Sequence, residues 1–406
     1  MKILFVATNL PVPPNNGQAI RSLSIIQALE SSGHELSFVS FVNKGRTEGL
    51  HPLSSYCRSI DLLEREMTNL TQQTDYLRRI GFLLALRSFS IERFRSNAMR
   101  EKIQNKLQAT RFDLILSDGI YAMTNVPETK VPIALNCHNV EYVILERYSR
   151  LERNPFKQYY AKIESHLMRI AESHRCHRAA LALVCSQVDL EILRMLHPDL
   201  PVFVVPNAID TDLIRPVEGS PRESTNPVLL FQGGMDWYPN RDAVEYFIRT
   251  ILPRVRTDCP KARFIVAGRN PPAQFIEQFR SDPLIEFTGT VPDMRPYLAA
   301  ANVVIVPLRL GSGTRIKILE ACAAGKPIVS TSVGAEGLDL KAGNEIILAD
   351  NPAEFARSVI NLLQDPARCE ALAKFSRNAV VERYSLLTLR QSLDALISNL
   401  APSNNS

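Results

Sequence analysis

No stretch of this 406-residue chain approaches the roughly 18 apolar residues of a membrane-spanning helix. The seven cysteines include no C-x-x-C pair. An odd count without that spacing fits buried reduced thiols and argues against a disulfide framework or a zinc ribbon. No G-x-G-x-x-G follows the first apolar run, which counts against a dinucleotide fingerprint and hence a nicotinamide dehydrogenase. No long polar tract occurs either: apolar residues make up 45% and charged residues 22%, the balance of a globular enzyme and not of a disordered or fibrous chain. Only "APSNNS", after Leu400, is expected to be unstructured. The opening "MKILFVATNLPVPP" holds one lysine and an apolar run shorter than a secretory core of about 7 to 15 residues, so a cytoplasmic protein is expected.

The length suits two domains of ordinary size. The formal net charge of +5 is concentrated in one place. Between Tyr76 and Lys106 lie Arg78, Arg79, Arg87, Arg93, Arg95, Arg100, Lys102 and Lys106, against Glu92 and Glu101. There "IGFLLALRSFSIERF" sets apolar and basic residues side by side, which fits either a peripheral membrane or anionic-acceptor face, or a solvated helix face beside a core helix. Nucleic acid is not an expected partner, because no recognised module or stacking motif accompanies the charge.

Short β-branched runs alternate with helical patterns. Ile3 to Ala7, Glu35 to Val42, Asp113 to Ser117, Pro132 to Asn136 and Leu181 to Cys185 read as strands. The rhythm resumes with Val228 to Phe231, Phe264 to Ala267, Ile285 to Thr288, Val303 to Val306, Pro327 to Ser330 and Glu345 to Leu348. Near-continuous apolar strands separated by helices mean parallel sheets covered on both faces. Val244, Phe247, Ile248, Ile251 and Leu252 follow helical spacing, as do Leu386, Leu389, Leu393, Leu396 and Leu400. Between the two series, Arg215 to Pro227 ("RPVEGSPRESTNP") has linker composition. The expected fold is therefore α/β, with two doubly wound, Rossmann-like sheets whose ligands sit beyond the carboxyl ends of the strands.

One loop after a strand stands out: "LGSGTRIKILEACAAGKPIVST", from Leu310 to Thr331. Gly311 and Gly313 form a turn without Cβ atoms, Thr314 is the expected N-cap, and Arg315 and Lys317 add full charge to helix-start amides. That combination suits a diphosphate. Glu320 suits a different group: a carboxylate accepts two hydrogen bonds and so matches a vicinal diol such as that of ribose. The competing reading is an exposed Lys317–Glu320 ion pair at helical spacing.

These residues, with "VPNAID" (Val205 to Asp210), "FQGGMDWYPNRDAVEYF" from Phe231 and "VPDMRPYLAAANVVIVPL" from Val291, resemble the GT-B glycosyltransferases of family 4. Such enzymes move a sugar from a nucleoside diphosphate to an acceptor with retention and without a metal. The resemblance covers nearly the whole chain and is strongest from Asn207 to Leu338. It implies residues 1–214 as an acceptor-binding domain, 228–380 as a nucleotide-sugar-binding domain, and 381–400 as a helix crossing back to the first.

The family commonly has a pair of glutamates here, the later holding the ribose hydroxyls. Glu320 matches the later one and Ser312 stands at the earlier position, as in a branch with G-x-G-x-R-x-K before the glutamate. Met235 stands where the family's arginine would be, with Asn240 or Arg241 near its lysine, which shifts the expected diphosphate partners to Arg315 and Lys317. The resemblance makes His138 a catalytic candidate beside Arg315, Lys317 and Glu320. It places Gly234, Arg269, Val291, Ser312, Gly313 and Thr314 on the donor and Asn139 and Glu141 toward the acceptor, which is a glycan, a lipid-linked sugar or a small molecule; Gly17, after the first strand and at the start of a helix, either lets the backbone approach the donor or forms a plain turn. No cofactor beyond the donor is implied.

Two decoys need separating. "DTD" (Asp210 to Asp212) mimics a metal motif but follows "VPNAI", where the family has an acidic turn, and "HRCHR" (His174 to Arg178) has metal-ligand letters in a basic helical stretch with no second cluster. Two rival functions also remain. One is a nucleotide-sugar epimerase of the same fold. The other is a catalytically silent binding protein, which Ser312 would suit.

Overall fold

The structure, a computed structural model, describes residues 1–43, 51–65, 72–152, 154–217, 226–311 and 313–400. Ser312, residues 218–225 of the expected linker and the tail after Leu400 lie outside the described residues. The chain divides into two compact units, Met1–Pro206 with Leu389–Ser406, and Asn207–Thr388.

In the first unit β1 (Lys2–Val6), β2 (Glu35–Asn43), β3 (Ser59–Arg65), β4 (Leu114–Asp118), β5 (Ile133–Asn136), β6 (Leu181–Val184) and β7 (Val202–Val204) form one sheet in the order β3-β2-β1-β4-β5-β6-β7. Every pairing is parallel. In the second, β8 (Val228–Gln232), β9 (Arg263–Ala267), β10 (Ile285–Gly289), β11 (Val303–Val306), β12 (Ile328–Ser330) and β13 (Ile347–Leu348) run β10-β9-β8-β11-β12-β13, again all parallel. Consecutive residues of β4, β8 and β11 are all buried, so both faces of each sheet are covered, which is why these strands read as unbroken apolar runs.

The strand order reverses direction beside β1 in the first sheet and beside β8 in the second. At such a reversal the connections leave on opposite faces and open a crevice at the carboxyl ends. The loops after β1 and β4, and those after β8 and β11, flank these two points.

β3 and β7 have no counterpart among the sequence expectations. Both are edge strands: "SIDLLER" sets three charged residues among its apolar ones, and "VFV" sits between Pro201 and Pro206. The helical stripe Val244, Phe247, Ile248, Ile251 and Leu252 is buried as expected. Its helix, however, breaks into Tyr238–Tyr246, a π turn Phe247–Ile251 and Leu252–Asp258. Pro253 has no N–H for the carbonyl four residues earlier, so the ladder changes register there.

Residues 207–214 group with the second unit and not the first. Ile209 bridges Ser385, and the Arg377 guanidinium donates to the carbonyls of Thr211 and Ile214. Within helix Leu386–Leu400 the residues from Leu389 count with the first unit, and Leu389, Leu393 and Leu396 are buried.

Candidate functional site

In the second unit, β11 ends at Val306 and the chain reaches helix Ile316–Ala323 through a loop containing Gly311 and Gly313, both at positive φ. The φ of +127° at Gly311 favours glycine, and a Cβ there would also crowd the Arg315 guanidinium. Arg315 is buried, and its Nη1 donates to the Gly313 carbonyl at 2.8 Å. Arg315, not Thr314, is the N-cap residue. The Thr314 hydroxyl instead accepts from the Asn207 amide, tying the loop to the start of this unit.

One helical turn on, Lys317 and Glu320 take separate partners and do not pair with each other. The Lys317 ammonium donates to Asn240 Oδ1 at 2.8 Å and sits 4.2 Å from the centre of the Phe231 ring. Glu320 Oε2 accepts from Gln232 Nε2 at 2.7 Å, and the same amide reaches the Lys317 carbonyl at 3.1 Å. Burial pushes Lys317 down to about 7, with Arg315 adding and Glu320 opposing. Burial pushes the Glu320 carboxyl up to about 7, against the pull of Lys317. Both groups are held where their charged forms are undersolvated, so an anion near Lys317 and a pair of donors near Glu320 would each relieve that strain.

Gln232 is buried at the end of β8, and its Oε1 has no hydrogen-bond partner. Beyond it, Gly233 and Gly234 begin the loop to helix Tyr238–Tyr246. Asn240 Nδ2 donates to the Gly234 carbonyl at 2.8 Å, while Arg241 folds back on the carbonyls of Met235 and Asp236. Of the two candidates for the displaced lysine position, Asn240 is therefore the one that faces Lys317. Arg269, after β9, reaches Asp236 at 3.3 Å, and a Cβ on Gly234 would crowd both. Val291 lies after β10, at the sheet edge. Gly234, Arg269, Gly313, Thr314, Arg315, Lys317 and Glu320 thus lie on neighbouring loops and one helix start of one sheet.

In the first unit, β4 ends on Asp118 and β5 on Asn136. Asp118 is buried and accepts from His138 Nε2 (2.9 Å), Ser22 Oγ (2.7 Å) and Asn136 Nδ2 (2.8 Å). Burial alone would raise its carboxyl, but the His138 charge and these three bonds outweigh that and hold it below the usual carboxylate range. His138 is thereby fixed beside Gly119, whose Cβ would stand 3.6 Å from its ring.

Arg21, buried on helix Gly17–Ser31, locks the ends of β5 and β7 through Asn136 Oδ1 (3.0 Å) and the Val205 carbonyl (2.7 Å). Gly17 itself is exposed in the first turn, which Asn16 caps. Asn139 hydrogen-bonds Glu141, which also accepts from the Tyr121 hydroxyl at 3.0 Å. Glu172 caps helix Glu141–Leu151 by accepting its first two amides, and burial followed by the Glu141 charge raises it to about 8.

Asp118 and Gln232 were not among the sequence candidates. The available signal was a polar residue closing an apolar strand run, "LILSD" and "VLLFQ", at the carboxyl end where ligands gather. The decoys resolve locally. Asp210 Oδ1 caps its own turn through the amides of Asp212 and Leu213, and Arg175 of "HRCHR" is buried against Thr124. Among the described residues no group of three His, Cys, Asp or Glu is arranged to hold a metal.

Two all-parallel sheets of Rossmann type, each with polar groups gathered at its strand reversal, define the GT-B glycosyltransferase architecture. Two family models match the sequence, "Glycosyl transferases group 1" over residues 226–365 and "Glycosyltransferase Family 4" over residues 15–213. A Klebsiella pneumoniae protein, described as an uncharacterized 44.6 kDa protein in the cps region, is 20% identical over 402 residues, 94% of this chain and 96% of that one. Sucrose-phosphate synthase of Thermosynechococcus elongatus has a similar structure at a TM-score of 0.73 and 16% identity, covering 98% of each chain. HepE of Anabaena in complex with UDP-glucose follows at 0.67 and 14%, covering 98% of this chain and 100% of that one. The chain belongs to the glycosyltransferases and is an enzyme of class EC 2.4.

Proposed function

We propose that this enzyme transfers a sugar from a nucleoside-diphosphate sugar to an acceptor with retention and without a metal, in glycan, polysaccharide or glycolipid synthesis, within the branch marked by G-x-G-x-R-x-K. The observation that carries the donor reading is the pair one turn apart on a single helix: a half-buried cation lowered to about 7 and a half-buried carboxylate raised to about 7, each held by a neutral amide. Lys317 and Arg315 serve the diphosphate and Glu320 the ribose diol. HepE in complex with UDP-glucose supports the donor class, and the cps-region relative supports a polysaccharide setting. Retention rests on the family resemblance.

Arg315 and Lys317 supply the positive charge that a metal supplies in other transferases, so stabilisation of the departing diphosphate is electrostatic. His138, oriented by Asp118, is the group we assign to the transferred sugar and acceptor, with Asn139 and Glu141 beside it. Ser312, at the position of the family's earlier glutamate, favours a second reading in which the chain binds donor without transfer.

No helix among the described residues is long and apolar enough to cross a membrane. A cytoplasmic enzyme with peripheral contact through 76–106 fits the exposed Leu84 and Leu86 beside Arg87. Several other cations of that segment are engaged inside the unit, Lys102 and Lys106 by Asp61 and Arg95 by Glu92.

A thermal-shift screen of nucleotide sugars, followed by anomeric NMR of the product with and without a chelator, tests the function. Donor-dependent product of retained configuration that survives chelation is expected. Donor binding with neither transfer nor hydrolysis would leave the binding-only reading.

A further inference from the structure

Trp237 is the only tryptophan in the chain, and 40% of it is exposed. It closes the loop after β8 and is the N-cap residue of helix Tyr238–Tyr246, its carbonyl accepting the Asn240 amide at 3.1 Å. Its backbone is therefore fixed to the helix turn whose Asn240 holds Lys317. The far edge of the indole lies against bare backbone: a Cβ on Gly311 would stand 3.4 Å from Trp237 Cη2, on the residue that also abuts the Arg315 guanidinium.

Specific contacts surround each of these groups. Glu320 meets Gln232, Lys317 meets Asn240, Arg315 adjoins Gly311, and Gly311 adjoins Trp237. On the donor reading Glu320 binds a ribose diol and Lys317 and Arg315 a diphosphate, so the indole, which shares Gly311 with the Arg315 guanidinium, borders the diphosphate, from which the sugar extends. What lies there is the pyranose, one face of which presents C–H groups while its rim carries hydroxyls. An indole left partly in water beside charged groups matches such a ligand, with the ring taking the apolar face and polar neighbours the rim.

We propose that Trp237 is the stacking surface for the transferred sugar, an inference that rests on the donor reading of Lys317 and Glu320. It gives the sugar a contact on the loop after β8.

Because the protein has one tryptophan, its emission reports this ring alone. Emission and calorimetry would be recorded in parallel while titrating UDP, UDP-glucose, UDP-N-acetylglucosamine, GDP and GDP-mannose. The nucleotide sugar that binds is expected to quench or shift the emission, while its nucleoside diphosphate binds with little change. Trp237→Ala is expected to weaken the nucleotide sugar about five- to tenfold, with unaltered affinity for the nucleoside diphosphate, and Trp237→Phe to retain most of the affinity. The unaltered diphosphate affinity shows that the variant is folded. An identical emission response to both ligands, or equal weakening of both by Trp237→Ala, overturns the stacking role and leaves the donor reading standing. If calorimetry finds no nucleotide sugar bound, the donor reading falls and this inference with it.

Discussion

Replacing Glu320 by alanine isolates the carboxylate. In the folded protein Glu320 Oε2 has one described partner, Gln232 Nε2, whose other N–H goes to the Lys317 carbonyl, so truncation frees a single N–H of that amide. Because burial raises the Glu320 carboxyl to about 7, the folded state binds its proton more tightly than the unfolded chain does. Its contribution to stability therefore declines as pH rises from the ordinary carboxyl range to about 7, and the melting difference between parent and variant should be smaller at about pH 7 than at about pH 5. Donor affinity should behave in the opposite way. Two hydrogen bonds to a charged group, each worth about 1.5 to 3 kcal/mol, make the expected loss about 3 kcal/mol or more, at least about a hundredfold in Kd. Glu320→Gln keeps one acceptor and should lose about half of that free energy. Calorimetry with the nucleotide sugar selected by thermal screening is the assay. Unchanged affinity in folded Glu320→Ala would remove Glu320 from the site.

Three further outcomes follow from the same geometry. Lys317→Met should slow transfer by about a hundredfold or more, the scale on which losing one donor to a developing anion acts, and should raise the melting temperature by removing an undersolvated ammonium. Donor affinity should peak near pH 7: below it Glu320 takes a proton and loses its acceptor charge, and above it Lys317 loses the proton that the diphosphate needs. Calorimetry across that range checks this, and Glu320→Gln should abolish the acidic limb alone. Asp118→Asn should lower kcat by about a hundredfold with donor Kd unchanged, because the amide cannot serve His138, Ser22 and Asn136 as the carboxylate does; steady-state kinetics beside calorimetry separate the two effects.

Most of the architecture was legible because buried parallel strands are written as apolar runs, and each central strand announced itself that way. The edges of the first sheet were not, since β3 sets Asp61 and Glu64 among its apolar residues and β7 has only three residues between prolines. In the donor cluster, Arg315, Lys317 and Glu320 stood out because charge beside glycine after a strand is rarely only structural. Gln232 was silent and Asn240 was named only through the resemblance, because both are separated from that cluster by long stretches of sequence and meet it only once β8 lies beside β11. Asp118 was hidden for the same reason: nothing local links it to His138, and only the pairing of β4 with β5 does. Thr314 looked like a cap by residue type, yet the helix starts later and its hydroxyl is taken by Asn207.

The most direct measurement is a crystal structure with a nucleoside diphosphate bound. The ribose hydroxyls should lie within hydrogen-bonding distance of the Glu320 carboxylate, with the phosphates against Lys317 and Arg315. A ligand seated with its ribose on other residues, or bound in the first unit, would contradict the account.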